Sequence, residues 1–177
     1  MAVRHVVTVD EDNPVLRRKA RRVRAIGPQV QALIDDMVQT MREAPGVGLA
    51  APQLGVLLRV IVVEVPEDED EPGSGRLYTL INPEIVKTSP EFEEGQEGCL
   101  SIPGYVGLIK RHPAVTVRAL NRGGKAIRIK AQGFLARVLQ HEIDHLDGIL
   151  FLDRLESPDK LIKLEPVEQV EPELVAA

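Results

Sequence analysis

The spacing of apolar residues along this chain alternates between a helical and a strand period, and each change of period marks an element. Between Gly27-Pro28 and Ala44-Pro45-Gly46 the apolar positions are Val30, Leu33, Ile34, Met37 and Met41. That series follows i, i+3, i+4, i+7, i+11 and predicts an amphipathic helix, with Pro28 suited to its first turn. Val56 to Val65 is a nearly continuous run of Val, Ile and Leu, the pattern of a buried strand. Leu77 to Ile81 predicts another, closed by Asn82-Pro83. Val115, Val117 and Ala119 alternate with polar neighbours, as do Ile127, Ile129 and Ala131, and Asn121-Arg122-Gly123-Gly124 between them signals a hairpin. From Gly133 to Asp147 the helical period returns and Gly148 ends it. Phe134, Val138, His141 and His145 share one face of that second helix, while Leu135, Leu139 and Leu146 form a neighbouring stripe for core contact. Strands in separate pairs with two helices predict an α+β domain and not a doubly wound parallel sheet.

Between these elements lie a turn at Asp10–Pro14, a dense basic run (Arg17, Arg18, Lys19, Arg21, Arg22, Arg24) and an acidic Gly/Pro loop from Pro66 to Gly75, expected to be mobile. After Pro158 periodicity lapses, and Glu165-Pro166 and Glu171-Pro172 disfavour a helix. The expected organisation is one domain over 1–158 and an acidic, frayed tail over 159–177.

At 177 residues the chain is long enough for one domain with a real core. With no Trp, two Tyr and three Phe, that core must be built from Val, Leu, Ile and Ala. No apolar run approaches the ~20 residues that span a bilayer, and Met1–Asp10 has no apolar signal segment, so a cytoplasmic protein is expected. The net charge of −5 equals the contribution of Glu67–Glu71 alone, leaving a balanced domain. The basic run is therefore read as a solvated face, with RNA contact as the alternative. A single cysteine, Cys99, excludes an internal disulfide.

The chemistry concentrates in Gln140-His141-Glu142-Ile143-Asp144-His145. Histidines four apart lie on one helical face, where both can bind a metal while the intervening Glu stands beside it. A third ligand decides which hydrolase this could be. One extended form of the motif places a third His six residues after the second, but here that position is Phe151. Glu156 has no helical pattern to aim it. Cys99, flanked by Gly98, remains, and a thiolate suits zinc or iron(II). His5 and His112 lack metal-like neighbours, and Asp144 is expected to orient a neighbouring group.

Three segments together resemble the motifs of peptide deformylases: Gly46-Val47-Gly48-Leu49-Ala50-Ala51-Pro52-Gln53, Glu97-Gly98-Cys99-Leu100-Ser101, and Gln140–His145. The resemblance runs from about Val6 to Leu155. It implies antiparallel sheets packed around a central metal-binding helix, with a second, N-terminal helix. It implies a hydrolase removing the formyl group from N-formylmethionine of new polypeptides. It also implies a metal held by Cys99, His141 and His145 with a water, Fe2+ in cells and Zn2+, Ni2+ or Co2+ as substitutes. Glu142 would be the general acid/base, with Gln53 and the Leu100 N–H as oxyanion donors. Val47, Gly48 and Gly98 would pair with an extended substrate, and Phe134, Val138 and Val47 would wall the methionine slot. Glu97 and Arg111 would form a supporting salt bridge. The implied partners are N-formylmethionyl nascent chains and, transiently, the ribosome, with no membrane contact and a monomeric state. Some members dock on the ribosome through a C-terminal helix, for which this acidic tail is unsuited. An endopeptidase of the same zinc motif and a non-catalytic ribosome-associated module are the competing expectations. Phe151 argues against the first, and the intact ligand and acid/base positions against the second.

Overall fold

A computed structural model describes residues 1–165; the stretch 166–177, most of the expected tail, lies outside the described residues. The order of elements is α1 (Pro28–Glu43), β1 (Gly48–Ala50), β2 (Val60–Glu64), β3 (Leu77–Thr88), β4 (Glu93–Gly98), β5 (Tyr105–Arg111), β6 (Ala114–Leu120), β7 (Ala126–Gln132), α2 (Gly133–Leu146) and β8 (Leu161–Lys163). The strands form a five-stranded sheet, β1-β2-β3-β6-β7, and a three-stranded sheet, β4-β5-β8. Every strand pairing is antiparallel, giving the α+β architecture the sequence predicts.

The larger sheet is covered on one face by α2 and on part of the other by α1. Ile61, Val63, Leu80, Val117, Ile129 and Ala131 pack on Leu135, Leu139 and Leu146 of α2. Val60, Val62, Leu49 and Ile81 pack instead on Leu33, Ile34, Met37 and Met41 of α1. A strand between two helices buries both of its faces, which is why β2 reads as an unbroken apolar run rather than an alternation. A third cluster joins the smaller sheet to the chain termini through Ile109, Phe151, Leu150, Cys99, Val7 and Leu16. Among the described residues no helix is long and apolar enough to cross a membrane.

Four features depart from the sequence pattern. β2 begins at Val60, because the backbone before it is bonded to the basic run: Arg21 N–H donates to Leu57 O at 3.0 Å and Arg59 N–H to Arg21 O at 2.9 Å. β3 does not stop at Asn82-Pro83. A register shift between Ile81 and Glu84 absorbs the proline, and Asn82 takes φ 51° while exchanging side-chain hydrogen bonds with the Val23 backbone at 2.8 and 2.9 Å. β4 and β5 carry no alternation that marks them as strands. Lastly, Leu161–Lys163 pairs with Tyr105–Gly107, so the folded body extends past the boundary expected at 158.

The acidic loop is tied down at several points. Tyr78 Oη donates to Gly73 O at 2.8 Å and Gly75 N–H to Val65 O at 3.0 Å. Glu71 reaches the start of α2, where Gln132 supplies no side-chain cap. Its carboxylate accepts from Phe134 N–H at 3.0 and 3.1 Å, satisfying a backbone donor that the first helical turn leaves over and placing negative charge at the positive end of the helix dipole. Gly133 takes φ +58°, and a Cβ there would stand 2.0 Å from Glu71 Oε1, so only glycine allows the contact.

Replacing a helix-capping side chain by alanine typically costs ~1 kcal/mol. Glu71→Ala is expected to destabilise the protein by about that amount in urea unfolding, and Gly133→Ala by more, since it adds backbone strain to the lost cap. A Glu71→Ala midpoint equal to wild type would dismiss the capping role.

Candidate metal centre and active site

Helix α2 carries an unusual load of buried polar groups: Gln140, His141, Glu142, Asp144 and His145 are all buried. Four of them have partners from neighbouring elements: Glu97 of β4 for His141, Arg111 of β5 and Arg154 for Asp144, the His112 backbone for Gln140, and Cys99 for His145. The turn following β4 places Cys99 against α2, with Sγ 3.4 Å from His145 Nε2. One ligand atom from each of Cys99, His141 and His145 lies within 4.8 Å of the others. The imidazoles stand edge to face with centroids 5.0 Å apart. Phe151, where a third histidine would stand in the longer motif, instead packs its ring 6.3 Å from that of His141.

This donor set fits one divalent metal ion. Bonds of about 2.3 Å to sulfur and 2.0–2.1 Å to nitrogen in a tetrahedral site require donors roughly 3.3–3.6 Å apart. The Cys99–His145 separation meets that requirement. His141 Nε2 is buried without a hydrogen-bond partner among the described residues, as a ligand atom must be. Burial, together with the charge of His141, lowers the His145 pKa well below its ordinary value, so its lone pair is available at neutral pH. At His141 burial alone would do the same, but the nearby Cys99 and the Glu97 carboxylate outweigh it and favour the protonated ring. Metal binding at this ring therefore displaces a proton.

Glu97 fixes that ring. Its Oε1 lies 2.8 Å from His141 Nδ1, which directs Nε2 toward Cys99. The same carboxylate accepts from Arg111 Nε at 2.9 Å and Nη2 at 3.0 Å, and from Arg137 Nη1 at 2.8 Å. Burial raises the Glu97 pKa, but the bonds from His141 and Arg111 prevail and hold it well below the ordinary carboxylate range. Asp144 completes the network. It accepts from Arg111 Nη1 at 2.6 Å and, through both oxygens, from Arg154 at 2.6 and 2.8 Å. Sequence reasoning missed Arg137 and Arg154. Arg137 lies one helical turn before His141, a position with a readable signal. Nothing in the Phe151–Arg154 turn marks Arg154.

Glu142 differs from Glu97 in having no cationic neighbour in hydrogen-bond contact. It is fully buried, and neither carboxylate oxygen has a hydrogen-bond partner among the described residues. Burial pushes its pKa up to about 8. Gly48 of β1 lies against it: a Cβ on Gly48 would stand 2.9 Å from Glu142 Cγ and 3.0 Å from Val138 Cγ1. Gln53, in the 3-10 turn Ala51–Leu54, is buried with Nε2 3.1 Å from Ser101 Oγ and 3.6 Å from Cys99 Sγ, its Oε1 accepting from Ala50 N–H at 2.9 Å. Val47 and Val138 are buried in one apolar cluster, with half-buried Phe134 packed on it and Leu100 at its margin. β1 and β4 are edge strands of their sheets, so the backbone around Gly48 and that around Gly98 are available to pair with an added chain.

Elsewhere the histidines have ordinary contacts. His5 pairs with Glu11 at 2.6 Å, and His112 stacks on Phe92. Glu156 pairs with Lys110 at 3.0 Å in solvent, outside the metal cluster.

The sequence profile of the polypeptide deformylase family matches residues 3–161. The peptide deformylase of Thermomicrobium roseum is 54% identical over 162 residues, covering 91% of this chain and 90% of the relative. That of Dehalococcoides mccartyi is 48% identical over 178 residues, covering 98% and 99%. Among solved structures, the peptide deformylase of Ehrlichia chaffeensis in complex with actinonin superposes with a TM-score of 0.84 at 43% identity, covering 90% of this chain and 92% of that one. The Thermotoga maritima peptide deformylase gives 0.80 at 35% identity, covering 89% and 100%.

Removing one member of a buried ion pair leaves an uncompensated charge and typically costs about 3–5 kcal/mol. Arg111→Ala, which removes one partner from both Glu97 and Asp144 and leaves them Arg137 and Arg154, is expected to lose up to about that in denaturant unfolding. The depressed Glu97 pKa also sets a pH dependence. Its folded value lies below its ordinary 4.5, so its contribution is complete above that pH and is lost as the pH falls toward the folded value. In metal-free protein, Glu97→Gln is expected to flatten the acid side of the stability profile; an unchanged profile would show that Glu97 is not the group responsible.

Proposed function

The chain belongs to the polypeptide deformylase family, and we propose that it hydrolyses the formamide of N-formylmethionine at the start of new polypeptides, releasing formate. The observation that carries this reading is the buried, unpartnered carboxylate of Glu142 beside the Cys99–His141–His145 cluster. Cys99, His141 and His145 would hold a divalent ion, which supplies the Lewis acidity that makes water a nucleophile at neutral pH. A thiolate with two imidazoles accepts Fe2+, the ion we assign in cells, and Zn2+, Ni2+ or Co2+ in its place. The cytoplasm, where such chains are made, is the compartment this activity requires.

The residues of the chain perform the remaining tasks. Glu142 removes the proton of the attacking water and returns it to the departing methionine amine. Isolated in its apolar surroundings it prefers to keep a proton, and positive charge bound in the adjacent cluster favours the carboxylate it must be in order to act as a base. The Gln53 amide and the Leu100 N–H meet the negative charge that develops on the formyl oxygen. Val47, Gly48 and Gly98 pair with the substrate backbone as an inserted strand. The wall formed by Phe134, Val138 and Val47 receives the methionine side chain. Glu97 and Arg111 keep the His141 ring in the tautomer that ligates.

The test is formate release from formyl-Met-Ala-Ser by protein reconstituted anaerobically with Fe2+ or Ni2+. Glu142→Gln is expected to retain its metal and lose activity by a factor of about 10²–10⁴, and an active Glu142→Gln enzyme would refute the acid/base role. Gln53→Ala is expected to lose roughly 10²–10³ in kcat. Cys99→Ala is expected to lose tight metal binding, read directly from metal content.

A further inference from the structure

We infer that the face of the large sheet opposite α2 binds the phosphodiester backbone of an RNA strand. Helix α1 covers the β1–β3 end of this face and leaves the β6–β7 end open. Register then aligns outward side chains into rungs across three strands. Lys87, Thr116 and Lys130 form one rung, and Glu84, Arg118 and Arg128 the next. The rungs are two residues apart along β6, or about 6.8 Å, the scale of the step between successive phosphates of an extended strand. Arg118 is engaged with Glu84 at 2.8 Å. Lys87, Arg128 and Lys130 are exposed and have no ion-pair partner among the described residues.

These three cations line a groove of about 690 Å³, against about 350 Å³ for the hollow beside Phe134 and Arg137. No carboxylate lines it, although the chain as a whole is acidic. Its other polar walls include Thr88, Thr116 and Gln132, side chains that both donate and accept hydrogen bonds and so suit ribose 2′-hydroxyls. The groove lies at the Thr88, Ala114 and Gln132 end of the sheet, with Val86, Pro90 and Ala114 as an apolar floor and the three cations as its charged side chains, a combination that fits the phosphates and base faces of a single strand. The strands β6 and β7 do not contribute to the metal cluster, so this surface is available while that site is occupied.

The experiment is fluorescence anisotropy of a labelled single-stranded 15-mer RNA with the metal-loaded full chain across a salt series. Three phosphate contacts predict a slope of log K against log salt of roughly −2. K87E/R128E/K130E is expected to weaken binding at least tenfold while formate release stays at the wild-type rate, which also verifies folding. R18E/K19E/R24E makes the same change of charge on the basic run and is expected to cost less than threefold. The inference is overturned if the sheet variant binds as tightly as wild type, if both variants lose equally, or if the slope is near zero. It is also overturned if inorganic tripolyphosphate at matched phosphate, or a polyglutamate of equal length, displaces the RNA as well as unlabelled RNA does.

Discussion

A carboxylate with almost no access to water organises this protein. Desolvating Glu97 is costly, and the cost is met by two arginines and an imidazole that arrive from separate elements: Arg111 from β5, Arg137 and His141 from α2. The position of each is therefore conditional on the others. The three-stranded sheet docks on α2 in the one arrangement that satisfies the charge, and Arg111 and Arg137 hold β5, β4 and the helix together. Arg137 can lie across β4 only because Gly95 leaves room, since a Cβ there would stand 2.7 Å from the guanidinium. A buried ion network of this kind adds little stability relative to an apolar core of similar shape. What it adds here is a defined orientation for His141.

The contrast between Glu97 and Glu142 shows how one helix and its neighbours give two carboxylates opposite properties. Glu97 is surrounded by donors and stays charged. Glu142 is walled by Gly48, Val138 and the core, and holds its proton. Environment alone separates the pKa values, in the manner that distinguishes paired acids and bases in other hydrolases. The Cys99–His141–His145 cluster lies beside the second of these, so that the group with the most to gain from a nearby positive charge is the one proposed here as the base.

The legibility of the sequence followed local signal strength. Helix α1, helix α2 and the β6–β7 hairpin were readable because their periods and turn residues are set within a few positions. The Cys99–His141–His145 cluster was readable because the two histidines stand four apart on one helical face with Glu142 between them, and Cys99 sits in a short motif beside Gly98. What stayed hidden is non-local. Strand β4 is rich in glycine and charge, β5 carries Gly107 within a short apolar run, and both are strands through their pairing with each other and, for β5, with β8. Asn82-Pro83 reads as a stop, yet Val23, from the basic run, bonds Asn82 and the strand continues. Arg154 gains its place in the network through Asp144, ten residues back across a turn with no periodicity.

The contact between Glu71 and the first turn of α2 bears on how this chain tolerates length change. By composition the segment from Pro66 to Gly75 is a spacer, the kind of insertion that protein engineers trim and that evolution lengthens or shortens freely. Here a deletion that removes Glu71 would uncap the helix bearing both histidines, sixty-odd residues downstream, while leaving every residue of the three motifs in place. Loop length and helix capping are thus a coupled pair of traits. A shortened version of this protein would need an acceptor of its own at position 132, or a new residue reaching in from elsewhere, before the deletion became neutral.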